Sequence, residues 1–214
     1  MTRAHAVAYQ SNAASRKDVG CFFCEERGED MKPSKRFEPK SDEEMSADAV
    51  VQLLQLFAQH GIEVVVDGGW GVDALLGQQT RFHADLDIAL EHKAVPKLRA
   101  LLEARGYKDV PRDDTRDCNF VMGDEQGHEV DFHSYTFDAQ GTLVFGVEYP
   151  FDSLTGMGAI QGYAVKCISA KWMVTFHAGY ELDENDYQDV SALCERFGIA
   201  LPAEYERFTR ESAE

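Results

Sequence analysis

Apolar positions in this chain fall into a regular pattern only after residue 45. Ala49, Val50, Leu53, Leu54, Phe57 and Ala58 recur at helical spacing behind Ser46, a residue type that caps helix N-termini, and Gly61 stops the run. Ile62 to Val66 is a short β-branched segment that suits a buried strand, and it runs directly into Asp67-Gly68-Gly69. A short helix through Val72, Leu75 and Leu76 to Gly77 is predicted next. Leu86 to Leu90 then reads as a strand, and Val95 to Arg105 as an amphipathic helix with Leu98, Leu101 and Leu102 inward and Gly106 as its stop. Asn119 to Met122, Glu129 to Tyr135 and Thr142 to Tyr149 are short segments parted by Gly or Asp turn signals, as in an antiparallel or mixed sheet. Helical periods return from Ser169, first with Trp172, Val174 and Phe176, then with Tyr187, Val190, Leu193, Cys194 and Phe197. Residues 1 to 45 mix small, polar and charged residues around Pro33 and Pro39 without a sustained apolar period, so a disordered tail is expected there. Two ordered parts follow, 46 to 168 and a small C-terminal helical region over 169 to 214.

Composition narrows the class. The 214 residues suffice for one ordinary domain with a helical appendage, and 44% hydrophobic with 11% aromatic residues is globular composition. No apolar run approaches the roughly 20 residues that span a bilayer. Met1 to Ala14 lacks the apolar core of a secretory signal, so a cytoplasmic protein without a membrane partner is expected. The cysteines, Cys21, Cys24, Cys118, Cys167 and Cys194, are odd in number and scattered, which favours reduced thiols over a disulfide framework. Cys21 and Cys24 form a CxxC, but no second pair follows to complete a structural zinc site. The net charge of −17 argues against nucleic acid as partner, because phosphate backbones are held by basic clusters. Residues 1 to 45 nearly balance, with nine acids against eight bases, so about −16 falls on the remainder, which favours a small cationic partner. Oligomeric state is left open, a homodimer included.

Chemistry concentrates in Asp67-Gly68-Gly69-Trp70-Gly71-Val72-Asp73 and in Thr80-Arg81-Phe82-His83-Ala84-Asp85-Leu86-Asp87-Ile88. Glycines at a strand-to-helix turn let backbone amides approach an oxyanion, and the helix start adds positive dipole, so this corner suits triphosphate oxygens. Asp85 and Asp87 alternate with Leu86 and Ile88, which puts both carboxylates on one face of a strand and both apolar side chains in the core. Neighbouring acids repel, and a bound dication explains such a pair; hard oxygen ligands at a phosphate site point to Mg²⁺ rather than zinc. Asp131, between Val130 and Phe132, offers a third carboxylate to the same face. One metal would then span the triphosphate oxygens, while Asp131 binds a second metal or accepts the attacking hydroxyl's proton. In-line attack at the α-phosphorus releases pyrophosphate.

The Gly-Gly, spacer and Asp-x-Asp pattern resembles the nucleotidyltransferase superfamily of polymerase β. Gly68-Gly69-Trp70-Gly71-Val72-Asp73 with Thr80-Arg81-x-His83-x-Asp85-x-Asp87-Ile88 resembles the lincosamide nucleotidyltransferases and the aminoglycoside 2''-nucleotidyltransferases. The likeness continues in Phe176-His177-Ala178-Gly179-Tyr180-Glu181 and Asp189-Val190, so it covers approximately 46 to 200. It implies an α/β (α+β) polymerase-β-like fold, with a mixed central sheet flanked by helices. It also implies Mg²⁺ on Asp85, Asp87 and Asp131, and phosphates at Gly68 and Gly69. ATP or another nucleoside triphosphate would be the donor, and a lincosamide or aminoglycoside hydroxyl the acceptor. By the same resemblance one of Arg81 and His83 lies near the triphosphate or acceptor, and Lys171, His177 and Tyr180 contact phosphate or base.

Several residues admit two readings. Trp70 could stack on a ligand or pack against its own helix. Asp73 could pair with Arg81 to brace the loop, or simply face solvent. His177 beside Phe176 suits a structural role as well as a functional one. Of the two histidines flanking Asp131, alternation puts His133 on the Asp131 face and leaves His128 at the strand start. Acceptors outside the antibiotics, and a catalytically silent nucleotide-binding protein, are the alternative functions; three mutually repelling acids speak against the silent one.

Overall fold

A computed structural model describes residues 45–178 and 180–211. The expected tail up to residue 44, with Cys21 and Cys24, lies outside the described residues. Met45 does not behave as tail: its side chain is fully buried, and its amide donates to the His83 carbonyl at 2.9 Å.

Helix α1 (Ala47–Gln59) begins where Ser46 accepts the Ala49 amide at 3.2 Å, and it buries Ala47, Val50, Leu53, Leu54 and Phe57. The expected strand from Ile62 contracts to β1 (Val65–Val66). Helix α2 (Gly68–Leu76) is capped by Asp67 and ends at Gly77, whose φ of 73° is left-handed. Strand β2 (Asp85–Glu91) and helix α3 (Val95–Glu103) follow, then β3 (Lys108–Val110), β4 (Asn119–Gly123), β5 (Glu129–Phe137) and β6 (Leu143–Gly146). A hairpin of β7 (Gly156–Ile160) and β8 (Tyr163–Cys167) completes the sheet, and α4 (Ala170–Phe176), α5 (Glu184–Phe197) and α6 (Glu206–Glu211) close the chain.

The strand order is β3-β4-β5-β2-β1-β8-β7, with β6 beside β5. β2 runs parallel to β5 and β1 parallel to β8, while the other pairs are antiparallel, so the sheet is mixed as expected. Two apolar layers cover it. On one face Leu86, Ile88, Leu90, Val130 and Phe132 pack with α1 and with Leu98 and Leu102 of α3. On the other, Val65, Ala89, Tyr135 and Ile168 pack with Met173, Phe176, Val190 and Leu193 of α4 and α5.

Periodicity does not foretell β3, α6 or the β7–β8 hairpin, and for the hairpin its glycines explain why. A Cβ on Gly158 would stand 2.3 Å from the Ala74 carbonyl oxygen, so α2 presses directly on β7 backbone. The residues that permit this contact also erase the apolar alternation of a strand. Burial and the Asp67 charge push the Cys167 thiol up to about 12, in keeping with an inert reduced thiol, and Cys194 is also free and buried. Cys118 is disulfide-bonded, which corrects the expectation of reduced thiols at that position. Among the described residues no helix is long and apolar enough to cross a membrane.

Phe132 is fully buried, stacks on Phe120 with ring centroids 4.8 Å apart, and adjoins Asp131 on β5. Phe132→Ala is expected to lower the unfolding free energy by about 3–5 kcal/mol. Urea denaturation checks this; a loss under about 1 kcal/mol would show that this layer does not hold β5.

Candidate active site

In-register pairing of β2 with β5 brings the acids together. Asp87 stands opposite Asp131, while Leu86 faces Val130 and Ile88 faces Phe132 across the same ladder. Apolar pairs therefore point into the α1/α3 layer and the carboxylates point the other way, where Asp87 and Asp131 are both buried. Asp85 shares their face but sits half-buried at the strand's first residue, opposite Glu129. Ligand atoms of Asp87, Asp131 and His133 all lie within 4.8 Å of one another, a group to which Asp85 does not belong. Two buried carboxylates at directly opposed positions repel strongly, and a dication stabilises such an arrangement.

The start of α2 fits against this group because residue 68 has no side chain. Gly68 has φ +55°, and a Cβ there would fall 2.1 Å from Asp87 Oδ2. Backbone at residue 68 thus lies directly against the Asp87 carboxylate, an approach only glycine permits. Asp67 is fully buried, accepts the Gly68 amide at 2.8 Å, and accepts the Tyr149 hydroxyl at 2.7 Å. Tyr149 Oη is in turn 3.2 Å from His133 Nδ1, and His133 Nε2 is 3.5 Å from Asp131 Oδ1.

Gly69 lies beneath His83 and Arg81: a Cβ there would be 2.3 Å from His83 Nδ1 and 2.7 Å from Arg81 Nη2. His83 is buried, packs at a tilt against the Trp70 ring with centroids 4.6 Å apart, and bonds Asp73 through Nε2 at 2.5 Å. Asp73 also accepts the Thr80 amide at 2.9 Å and the Thr80 hydroxyl at 2.5 Å. Asp73 therefore braces the loop through Thr80 and His83, not through Arg81. Trp70 is 1% exposed, which settles its role as packing. Arg81 instead forks onto Asp189 of α5, with Nη2 at 2.8 Å and Nε at 3.2 Å from the carboxylate. Burial alone would lower the Arg81 pKa, but the Asp189 hydrogen bonds and charge hold it above its ordinary value.

The C-terminal residues spread out. Lys171 is exposed, with Nζ 5.6 Å from the Trp172 ring. His177 is buried, its Nδ1 bonds the Met173 carbonyl at 2.9 Å, and its own carbonyl accepts the Tyr205 hydroxyl, so its contacts lie within its own helical region. The Tyr180 hydroxyl donates to Asp186 at 2.6 Å. Burial pushes the Asp186 carboxyl up, against the lowering effect of that bond. Sequence reasoning placed Asp67 in the glycine-rich block and His133 on the Asp131 face, but it did not connect Tyr149 to the site. Alternation does signal His133, whereas Tyr149 sits beyond β6 with no local pattern pointing inward.

A family model for aminoglycoside-2''-adenylyltransferase matches residues 49–193. A lincosamide resistance protein of Staphylococcus haemolyticus is 31% identical over 147 residues, 66% of this chain and 89% of that protein. The crystal structure of a lincosamide antibiotic adenylyltransferase with lincomycin bound matches at a TM-score of 0.62 and 25% identity, over 74% of this chain and 100% of that one. The crystal structure of ANT(2'')-Ia in complex with adenylyl-2''-tobramycin matches at 0.59 and 19% identity, over 78% of this chain and 95% of that one, and supports the fold alone. The matched span holds Gly68, Gly69, Asp85, Asp87 and Asp131 together, and the chain accordingly belongs to the aminoglycoside-2''-adenylyltransferase family and is a nucleotidyltransferase.

Proposed function

We propose that this chain transfers AMP from ATP to a hydroxyl of a lincosamide or aminoglycoside antibiotic, with release of pyrophosphate. The observation that carries the reading is Gly68 backbone pressed onto Asp87, itself paired across the ladder with Asp131. Asp85, Asp87 and Asp131 would hold Mg²⁺, and their hard oxygen donors suit that ion. When bound, the metal stabilises charge on the triphosphate as the leaving pyrophosphate departs.

The chain's own groups do the rest. The first-turn amides of α2 at Gly69 and Trp70 lie where helix geometry leaves donors for phosphate oxygens. Arg81, fixed by Asp189 beside Gly69, adds positive charge to that corner. Its Nη1 is tied to the Phe82 carbonyl at 3.1 Å, so the guanidinium is oriented before substrate arrives. Asp131, beyond any part in holding metal, would accept the proton of the attacking acceptor hydroxyl, whose oxygen forms the new bond to the α-phosphorus as the bond to pyrophosphate breaks. His83, braced by Asp73 under Trp70, shapes the turn. Lys171 and Tyr180 stand as further candidates for the nucleotide.

Acidic residues around α5 would draw cationic acceptors, though Asp189 is withdrawn from that role. It is 2% exposed and neutralised by Arg81. Asp183 and Asp186 form the capping box of α5, at the helix N-terminus.

Asp87→Asn and Asp131→Asn are each expected to reduce transfer by about 10²- to 10⁴-fold without unfolding the chain, because each also relieves buried repulsion. Steady-state kinetics with circular dichroism checks both; activity of either variant within about tenfold of the parent overturns the assignment. For acceptors, the KM of a polycationic aminoglycoside is expected to rise steeply between low and physiological salt, and that of a singly charged lincosamide only shallowly. A neutral acceptor analogue that performs as well at every salt concentration would refute electrostatic capture.

A further inference from the structure

His133 belongs to the side-chain group around Asp87 and Asp131, yet three oxygens from Asp85, Asp87 and Asp131 leave it without a part in the reading above. Its proton arrangement follows from its neighbours. Asp67, as a carboxylate, only accepts; it takes the Gly68 amide on Oδ1 and the Tyr149 hydroxyl proton on Oδ2 at 2.7 Å. With that single proton committed, the 3.2 Å contact between Tyr149 Oη and His133 Nδ1 needs the imidazole to donate. In the neutral ring Nε2 then carries the lone pair, and Nε2 is the nitrogen that faces Asp131 Oδ1 at 3.5 Å. That separation is long for a direct hydrogen bond but falls within the roughly 4.2 Å that two donors on one small cation can span. A ring nitrogen oriented onto a metal by donation from its other nitrogen to a fixed partner is the arrangement metal-binding histidines adopt.

We infer that His133 is a nitrogen ligand in this metal site, through Nε2, and that it biases the site toward Mn²⁺ over Mg²⁺. The inference rests on the metal reading proposed above and deepens it. Imidazole nitrogen raises affinity for transition-metal dications more than for Mg²⁺, whose preference is for oxygen and water.

Pulsed electron paramagnetic resonance on the full chain with Mn²⁺ tests this without reference to turnover. The parent is expected to show nitrogen modulation from a coordinated imidazole. His133→Asn, whose side-chain amide can still donate to Tyr149 but presents nothing at Nε2, is expected to lose it. Mn²⁺ binding in this variant should weaken by about tenfold or more, and Mg²⁺ binding by under about threefold. His128→Asn, which alters a histidine bonded to Asp124 at 2.9 Å, should leave both unchanged. Mn²⁺ bound to the parent without nitrogen modulation overturns the role of His133 and leaves the carboxylate site standing. Mn²⁺ that does not bind, or binds equally well to Asp87→Asn, overturns the metal reading together with it.

Discussion

Everything in the site hangs on the register between β2 and β5. Two parallel strands meet with Asp87 opposite Asp131 and with Ile88 opposite Phe132. A slip of one residue would turn the carboxylates into the α1/α3 layer and the apolar pairs out of it, so the hydrophobic core itself enforces the meeting of the acids. The cost of bringing two buried carboxylates together is met by core packing on the reverse face, and the repulsion that remains is what a dication offsets. Gly68 is the second half of the same constraint. A side chain at that position would collide with Asp87, so the tight turn before α2 and the acid pair are one structural unit.

Much of this unit is local in the chain, which is why it was legible. Alternation of Leu86 and Ile88 with Asp85 and Asp87 already assigns faces, and Ser46, Asp67 and Gly77 punctuate their helices as their side chains dictate. Pairing partners are a different matter. No stretch of residues states that β2 lies beside β5, and only the Asp-bracketing Val130 and Phe132 hinted at it. The β7–β8 hairpin was hidden because Gly156 and Gly158 serve close approach to neighbouring backbone in place of alternation. Asp73 and Arg81, read as alternative partners of each other, each found a different one. Arg81 reached Asp189, more than a hundred positions away, and such long-range pairing leaves no mark at either end of the chain segment.

Asp67 illustrates how one residue can join local and distant structure. As N-cap it is an ordinary helix-start signal, yet complete burial forces its second oxygen to find a donor, and Tyr149 supplies it. From there the hydroxyl reaches His133 on β5, so the cap of α2 and the strand bearing Asp131 are tied by polar groups as well as by the sheet. Networks of this kind are costly unless each member is bonded, and when complete they define a single arrangement. The geometry around Asp131 is consequently specified twice, by apolar register from one face and by this chain of hydrogen bonds from the other.

The Arg81–Asp189 pair extends the same logic to the C-terminal helices. Asp189 is almost wholly buried while Arg81 remains partly open, with side-chain exposures of 1% and 25%. Withdrawing a carboxylate from water costs several kcal/mol by order of magnitude, and a bidentate guanidinium returns part of that cost, so the pair adds little to net stability. Its effect is positional. Arg81 lies over Gly69 on the loop leading into β2, and Asp189 lies on α5, whose first turn carries Asp183, Glu184 and Asp186. Any shift of α5 therefore moves the guanidinium relative to the Gly68–Gly69 turn. The proposed phosphate corner and the proposed acceptor-attracting acids are thus set against each other by one ion pair, and the nucleotide side of the site cannot be repositioned independently of the acidic side.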